Sequence, residues 1–543
     1  MIQEVYEKVY GIKKPYKYQR DVFEKIQNYK NPVLLKAPTG SGKTEAAIAP
    51  FLLQFLEDKF LIAPRLIYVL PMRIMVNNIA DRIRKYAKKI SPFISVEVQH
   101  GDVPNTPFFI SDIVVTTLDQ FLYAFARTAI LVGKHIDIPA GSIASSIVIF
   151  DEAHMYRDEF TFSIMRALME ILGKSHVPFV VMTATMPEAL EKSLFENREL
   201  FSDIEKIIAE VDIQSELEVT IEDMPLFSNE KMNISDELLN KVKNKKTLIV
   251  VNQVGRAQKV YEEVKEFLDL DDDEIVLLHS RFTKVDRKSH EQRAVSLVPH
   301  KDGGKIVFPE GIGVVVSTQV LEAGLDFSAE LLITELAPAD ALIQRAGRCA
   351  RYEGEKGEMI IFNVEREKGH LPYDKSHIES TFNWMKENPD FNLKHFSETC
   401  KFADILNYRA NDFEASETLV DLYECVLYAD TVPKNIQLRQ SKPITLVVVD
   451  PSIGRGRKKE DRLKDALTKI AMGDNSISVD FSVGWSMLKQ NILTTRLDFN
   501  NEKDLWEPKE VRGDILPFKY YLLDKTYYDH AKGVISNVTT FVV

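Results

Sequence analysis

An apolar run, Val33-Leu34-Leu35, leads directly into Ala37-Pro38-Thr39-Gly40-Ser41-Gly42-Lys43-Thr44, and helical spacing follows at Ile48, Leu52, Phe55 and Leu56. A strand that enters a Gly-rich turn and then a helix constrains the fold more than any other feature of the chain. Such a turn cradles phosphate. Gly40 and Gly42 let backbone N–H groups close around an anion, with Thr39 and Ser41 in the same loop. The helix that follows presents its positive end. Lys43 places a point charge on the β- and γ-phosphates of a nucleotide, and the Thr44 hydroxyl is placed to ligate Mg2+. Ala37 stands where the strict pattern has Gly.

Ile147-Val148-Ile149-Phe150 runs into Asp151-Glu152-Ala153-His154. An ionised carboxylate at the end of a buried strand is costly without a partner, and Mg2+ is the natural one for Asp151. Glu152 is then placed to position or activate an attacking water. The competing reading makes Asp151 a helix N-cap. Far downstream lies Gln344-Arg345-Ala346-Gly347-Arg348-Cys349-Ala350-Arg351. On a helix its arginines, at i, i+3 and i+6, line one side. A solvated basic face is the alternative, but a segment rich in Ala and Gly without balancing acids suits close packing. An arginine at a phosphoryl transition state contributes about 10³–10⁵ in rate, against about 0–1 kcal/mol for a surface ion pair.

Strand-helix alternation over residues 1–205 predicts a parallel sheet covered on both faces. Its strands are expected at Val33–Leu35, Leu66–Leu70, Val96–Gln99, Ile113–Thr116, Ile147–Phe150 and Phe179–Met182. A polar, acidic stretch without clear periodicity, 206–240, reads as the hinge region between two lobes, and a second domain is expected over 206–395. That domain has strands from Thr247, Ile275, Gly313, Leu331 and Met359, and 396–543 reads as a linker helix and a smaller C-terminal domain. At 543 residues several domains are expected. No apolar run approaches about 18 residues, no signal-peptide core opens the chain, and Cys349, Cys400 and Cys425 have neither disulfide nor zinc spacing. A reducing cytoplasm and no membrane partner are expected. The net charge of −12 argues against loose coating of nucleic acid but not against a motor that concentrates cations locally.

In this order the motifs resemble the superfamily 2 helicases of the DEAH kind. Tyr16 and Gln19 are similar to the adenine-reading motif. Leu70-Pro71-Met72-Arg73, His100-Gly101 and Thr116-Thr117-Leu118-Asp119-Gln120 are similar to strand-contacting motifs of a first lobe. Thr183-Ala184-Thr185 is similar to the motif that couples ATP to nucleic acid. Within the family the narrower resemblance is to the CRISPR-associated helicase of type I interference. It rests on Val251–Gln258, His279-Ser280-Arg281-Phe282, Gln319–Phe327 and Gln344–Arg351, and more weakly on Tyr528-Asp529-His530-Ala531-Lys532-Gly533.

The resemblance implies two tandem RecA-like α/β domains with a smaller C-terminal accessory domain, and ATP with Mg2+ as cofactors. It implies strand contacts at Arg73, Thr116, Thr117, Asn252, Arg281 and Thr318, and nucleotide contacts at Gly324 and Asp326. It gives coupling roles to His154, Thr183, Thr185 and Gln344, and has Arg348 and Arg351 act on the nucleotide from the second lobe. Ala37 agrees with this family's phosphate loop. Relatives often begin with a histidine-aspartate nuclease domain. Here Gln19 follows only 18 residues, and none of the 11 histidines precedes an Asp. The expected partners are therefore single-stranded DNA, a separate nuclease subunit and a guide-RNA surveillance complex. An RNA or repair helicase, or an ATP-gated clamp that does not unwind, would use the same motifs. Arg455–Lys459 and the tyrosine pairs at 520–521 and 527–528 read first as solvated loop and strand packing, Cys349 as a small packing residue, and Asp529-His530 as a surface pair.

Overall fold

The computed structural model describes residues 2–29, 31–101, 103–156, 158–209, 211, 214–228, 231–302, 305–322, 325–365, 369–408, 412–428, 443–449, 475–500, 502, 505–511 and 513–535. The chain divides into two compact units, 1–213 with 390–440, and 214–389 with 441–543.

In the first unit the strands are β1 (Val33–Lys36), β2 (Arg65–Leu70), β3 (Val96–His100), β4 (Val103–Pro104), β5 (Ile113–Thr117), β6 (Ser146–Phe150), β7 (Phe179–Thr183) and β8 (Glu205–Ile208). They form one sheet in the order β4-β3-β5-β2-β6-β7-β1-β8. All pairings are parallel except the β3–β4 hairpin. The inner strands are apolar runs because helices cover both faces, and every residue of β1, β5, β6 and β7 is buried. The helix Asp412–Leu422 returns to this unit, and Leu422 lies in the same core as Phe162, Met165 and Leu168.

The second unit repeats the architecture with β9 (Glu216–Pro225), β12 (Thr247–Val250), β13 (Ile275–Leu278), β16 (Val314–Ser317), β17 (Leu331–Glu335) and β18 (Lys356–Asn363), all parallel in the order β13-β16-β12-β17-β18-β9. Two short hairpins flank them, β10 (Phe227–Ser228) with β11 (Lys231–Met232), and β14 (His300–Asp302) with β15 (Lys305–Val307). Strand β9 corrects the reading of 206–240 as aperiodic. Glu216-Leu217-Glu218-Val219-Thr220-Ile221 alternates strictly and forms the edge of the sheet, where one face stays wet. A mixed sheet follows, β19 (Ile444–Val449), β20 (Ser476–Val479), β21 (Thr495–Asn500), β22 (Leu505–Glu510) and β23 (Tyr520–Asp524), in the order β20-β19-β23-β21-β22. The hairpin β24 (Tyr528–Asp529) with β25 (Gly533–Val534) ends the described chain. The architecture is thus two parallel-sheet α/β lobes of the RecA-like kind, with a C-terminal sheet.

Among the described residues no helix is long and apolar enough to cross a membrane. Among the described residues Cys349, Cys400 and Cys425 form no disulfide, and Arg455–Lys459 lies outside the described residues.

Leu422→Ala removes a fully buried side chain from the first core, whereas Val420 on the same helix is exposed. We expect Leu422→Ala to cost about 2–5 kcal/mol and Val420→Ala less than about 0.5 kcal/mol. Denaturant unfolding of the two variants checks this; equal, small effects would mean that the helix does not contribute to that core.

Candidate functional site

Strand β1 delivers the chain to the phosphate loop, whose start is pinned by the Ala37 N–H donating to the Thr183 carbonyl (3.1 Å). Gly40 and Gly42 have φ of 84° and 91°, where only Gly is free of strain. Gly42 caps the helix Lys43–Glu57. The buried Lys43 Nζ donates to the carbonyls of Ala37 (2.9 Å) and Pro38 (3.3 Å), so the ammonium closes the loop on itself. Ser41 Oγ donates to the Pro38 carbonyl (2.8 Å). The Gln19 side chain accepts from the Tyr16 N–H (2.9 Å) and donates to the carbonyls of Gly42 (3.3 Å) and Ser41 (3.4 Å). At the φ of Gly42 a side chain would be strained, and a Cβ there would stand 2.6 Å from Gln19 Nε2 and displace that amide. Thr39 is half-buried in the same loop.

Asp151 ends β6 and is buried. Its Oδ1 accepts from the Glu152 N–H (2.8 Å) and its Oδ2 from the Tyr68 hydroxyl (2.5 Å). Burial, reinforced by the Glu152 charge, pushes its carboxyl up to about 6, against the pull of Lys43. The Tyr68 hydroxyl also lies 3.3 Å from Thr44 Oγ1. Tyr68 therefore bridges Thr44 and Asp151, the two hard oxygen ligands expected for Mg2+, and both fit that ion. Sequence reasoning missed Tyr68; its signal was a lone hydroxyl in the apolar run Leu66–Leu70.

Glu152 adopts φ of 52°, a left-handed conformation that is strained for a residue with a Cβ. Its Oε2 lies 3.4 Å from Nδ1 of the buried His154. The same nitrogen lies 3.2 Å from Thr183 Oγ1, which accepts from the Thr185 N–H (3.2 Å). Glu152, His154, Thr183 and Thr185 thus form one contiguous polar chain across the ends of β6 and β7.

In the second unit the arginines do not share a helical face. The helix Ala339–Ala346 stops before Gly347, so Arg348 and Arg351 lie beyond its end, which corrects the reading of one basic side. Arg345 is fully buried and donates to Glu322 Oε1 (3.0 Å), Thr334 Oγ1 (2.8 Å), the Glu335 carbonyl (3.0 Å), Asn252 Oδ1 (3.0 Å) and the Tyr373 hydroxyl (3.0 Å). Arg348 donates to the carbonyls of Glu322 (2.9 Å) and Leu325. Arg351 pairs with Asp326 (2.8 Å); burial pushes that carboxyl up, but the guanidinium holds it below the usual range. Gly324 lies outside the described residues. Gln344 is buried beside Arg345.

Of the residues expected to touch nucleic acid, Arg73 is exposed at the first turn of the helix Arg73–Ile90, while Thr116, Thr117, Asn252, Arg281 and Thr318 are buried. The Thr116 hydroxyl donates to the Gln99 carbonyl (2.7 Å). Asn252 donates its backbone N–H to Glu335 (2.7 Å) and its Nδ2 to the Leu336 carbonyl (2.9 Å). Burial pushes the Arg281 guanidinium down to about 10, and its Nη1 has no hydrogen-bond partner among the described residues.

Residues 16–193 match the family DEAD/DEAH box helicase, and residues 243–354 match the family CRISPR-associated nuclease/helicase Cas3, C-terminal. The chain is similar to the CRISPR-associated helicase Cas3 of Thermoproteus tenax, at 27% identity over 80% of this chain and 75% of that one. It is similar to the putative CRISPR-associated nuclease/helicase Cas3 of Methanocaldococcus jannaschii, at 27% identity over 68% of this chain and 51% of that one, and so spans about half of that relative. Its fold is similar to that of T. fusca Cas3 in a crystal structure with AMPPNP, with a TM-score of 0.71, 19% identity, and coverage of 98% of this chain and 72% of that one.

Tyr68→Phe deletes the hydroxyl between Thr44 and Asp151 and leaves a buried carboxylate oxygen without that donor. We expect a stability loss of about 1–3 kcal/mol and a several-fold higher Mg2+ concentration for half-maximal ATP hydrolysis. Urea unfolding and Mg2+ titration of the two proteins measure both, and an unchanged Mg2+ requirement would remove Tyr68 from the site.

Proposed function

We propose that this chain, whose residues 16–193 match the DEAD/DEAH box helicase family and whose residues 243–354 match the Cas3 C-terminal family, uses ATP hydrolysis to drive translocation along single-stranded DNA in type I CRISPR interference. The observation that carries the reading is the polar chain Glu152–His154–Thr183–Thr185. It joins the residue placed to orient the attacking water to the strand end that bears the coupling motif, so a change at one has a direct physical route to the other.

The residues take these roles. Gln19 reads adenine while holding the loop carbonyls. Thr39, Gly40, Ser41 and Gly42 offer backbone N–H groups to the phosphates. Lys43, whose ammonium rests on the Ala37 and Pro38 carbonyls, would supply the positive charge for the β- and γ-phosphates of a bound ATP. Thr44 and Asp151 hold Mg2+, which when bound neutralises charge on the phosphate oxygens. Asp326 contributes on the nucleotide side together with Gly324. Arg348 and Arg351 are the sources of the positive charge that a phosphoryl transition state requires. Arg73 and Arg281 meet the strand phosphates, and Thr116, Thr117, Asn252 and Thr318 are further strand contacts, although each is buried, with Thr116 held on the Gln99 carbonyl and Asn252 on the Leu336 carbonyl.

DNA cleavage is assigned to a separate nuclease subunit, with recruitment by a guide-RNA surveillance complex. The T. tenax relative, of which the chain spans 75%, is named a helicase only, whereas the M. jannaschii relative is named a nuclease/helicase. The fold is also similar to a chain of a CRISPR RNA-guided surveillance complex, with a TM-score of 0.58 and 21% identity.

ATP turnover is expected to be slow alone, stimulated by single-stranded DNA, and less stimulated as salt rises, because the contacts are to phosphates. Glu152→Gln should keep ATP affinity while losing turnover, and Lys43→Ala should lose both. Phosphate-release assays with and without DNA check this, and equal rates would overturn the coupled motor. A strand-displacement assay separates a helicase from an ATP-gated clamp.

The purified chain with ATP, Mg2+ and Mn2+ should move on single-stranded DNA and leave it intact. Cleavage that is lost in Lys43→Ala would overturn the assignment of the nuclease to another subunit.

A further inference from the structure

The hairpin Tyr528–Val534 is far in sequence from the His279-Ser280-Arg281-Phe282 motif, yet it grips the motif and the helices on either side of it. The Thr283 N–H donates to the Tyr528 hydroxyl (3.0 Å), which in turn donates to Asp286 Oδ2 (2.6 Å). His530 Nδ1 stands 2.9 Å from the same oxygen. Gln258 Nε2 donates to the carbonyls of Lys532 (2.7 Å) and Val534 (3.1 Å), and Lys532 Nζ pairs with Glu262 (2.7 Å).

The grip converges on one residue. The Val534 N–H donates to the Arg281 carbonyl (3.1 Å). The Arg281 N–H donates to His279 Nδ1 (3.1 Å), so the ring proton sits on Nε2, which donates to the Lys532 carbonyl (2.9 Å). Burial keeps this imidazole neutral, with its pKa pushed down to about 3. Both halves of the Arg281 backbone are thus fixed, one directly and one through His279, by the hairpin. Gly533 makes the approach possible. At φ of 75°, a Cβ there would stand 2.6 Å from the Arg281 carbonyl oxygen and 2.7 Å from His279 Cε1. The side chain that this backbone carries is a buried guanidinium whose Nη1 has no hydrogen-bond partner among the described residues. A buried donor in that state is ready for an anion from outside.

We propose that the Tyr528–Val534 hairpin is a positioning element for the strand: it fixes the Arg281 backbone so that the unpartnered guanidinium nitrogen takes a strand phosphate. The inference rests on the reading of Arg281 as a strand contact. Gly533 and Tyr528 act through Arg281 and touch neither ATP nor DNA.

The test uses the full chain and measures ATP turnover against the concentration of a single-stranded oligonucleotide. Four proteins are compared: wild type, Gly533→Ala, Arg281→Ala, and the double variant. Gly513→Ala is the control for backbone strain, since Gly513 has φ of 86° with nothing within 4 Å of an added Cβ. Gly533→Ala should raise the half-saturating DNA concentration by about tenfold or more, as expected for a binding group displaced by about 1 Å. Turnover without DNA should stay the same, and Gly513→Ala should leave the DNA dependence alone. Adding Gly533→Ala to Arg281→Ala should bring no further loss. Tyr528→Phe, which removes one anchor and adds no strain, should give a smaller shift in the same direction. If Arg281→Ala leaves the DNA dependence unchanged, the reading of Arg281 as a strand contact fails and the inference with it. If Arg281→Ala weakens DNA binding but Gly533→Ala does not, or does so equally in the Arg281→Ala background, the hairpin does not act through Arg281 and this inference alone is overturned.

Discussion

The structure of the first lobe turns on a carboxylate that an apolar sheet must bury. Asp151 sits at the end of β6, between β2 and β7, with every residue of β6 out of contact with water. An ionised group there needs donors on both oxygens, and the sheet order supplies one of them. Strand β2 lies next to β6, which brings the Tyr68 hydroxyl to Asp151. On the other side β7 brings Thr183 within reach of His154, and β1, beside β7, brings the phosphate loop, with Lys36 opposite Thr183. The run β2-β6-β7-β1 therefore sets the motif-bearing strand ends side by side. This is the edge at which open parallel sheets bind ligands, since successive strands end there in turns that enter helices.

The second lobe meets a related constraint with the opposite charge. Arg345 is fully buried, and its guanidinium is enclosed by Glu322, Thr334, Asn252 and Tyr373. Glu335, also buried, pairs with Arg256 (2.5 Å) and accepts from the Asn252 backbone. Burial raises the Glu335 carboxyl while Arg256 opposes it. Removing one member of such a network leaves a buried charge, at a cost of about 3–5 kcal/mol. Asn252 and Arg345 carry the look of site residues in sequence, but their side chains tie β12, β17 and the helix Ala339–Ala346 into one body. Arg348 and Arg351 instead hold the loop that contains Leu325 and Asp326.

What the sequence made legible follows local rules, and what it hid depends on distant contact. The inner strands and the phosphate loop were readable because apolar runs and glycine turns are local. Strand β9 was missed because its charged residues masked a period of two, although Leu217, Val219 and Ile221 carried it. The arginines were read as one face because spacing alone does not reveal that the helix ends at Ala346. A linker helix after 395 is legible in the sequence, but the packing of the helix Asp412–Leu422 in the first core depends on residues such as Phe162, some 250 positions away in the sequence. Tyr68 and the Tyr528–Val534 hairpin were hidden for the same reason: each acts through a partner that no spacing rule connects to it.

On the proposed function, a chain with a net charge of −12 has to bind a polyanion. At physiological ionic strength exposed charges interact over about 8 Å, so the acidic exterior repels a strand only where the strand comes close. Affinity then depends on where cations are placed rather than on how many there are. Arg73 is exposed and its attraction is screened by salt. Arg281 is buried, where the same charge acts through a lower dielectric and is screened less. The exposed arginine suits capture and the buried one suits register. A buried cation gives register only if its backbone is fixed, because a misplaced guanidinium in a poorly solvated site costs energy without making the contact. On the proposed role of Arg281, that requirement would be met by a neutral histidine, a glycine with positive φ and the Tyr528–Val534 hairpin, which converge on this one arginine.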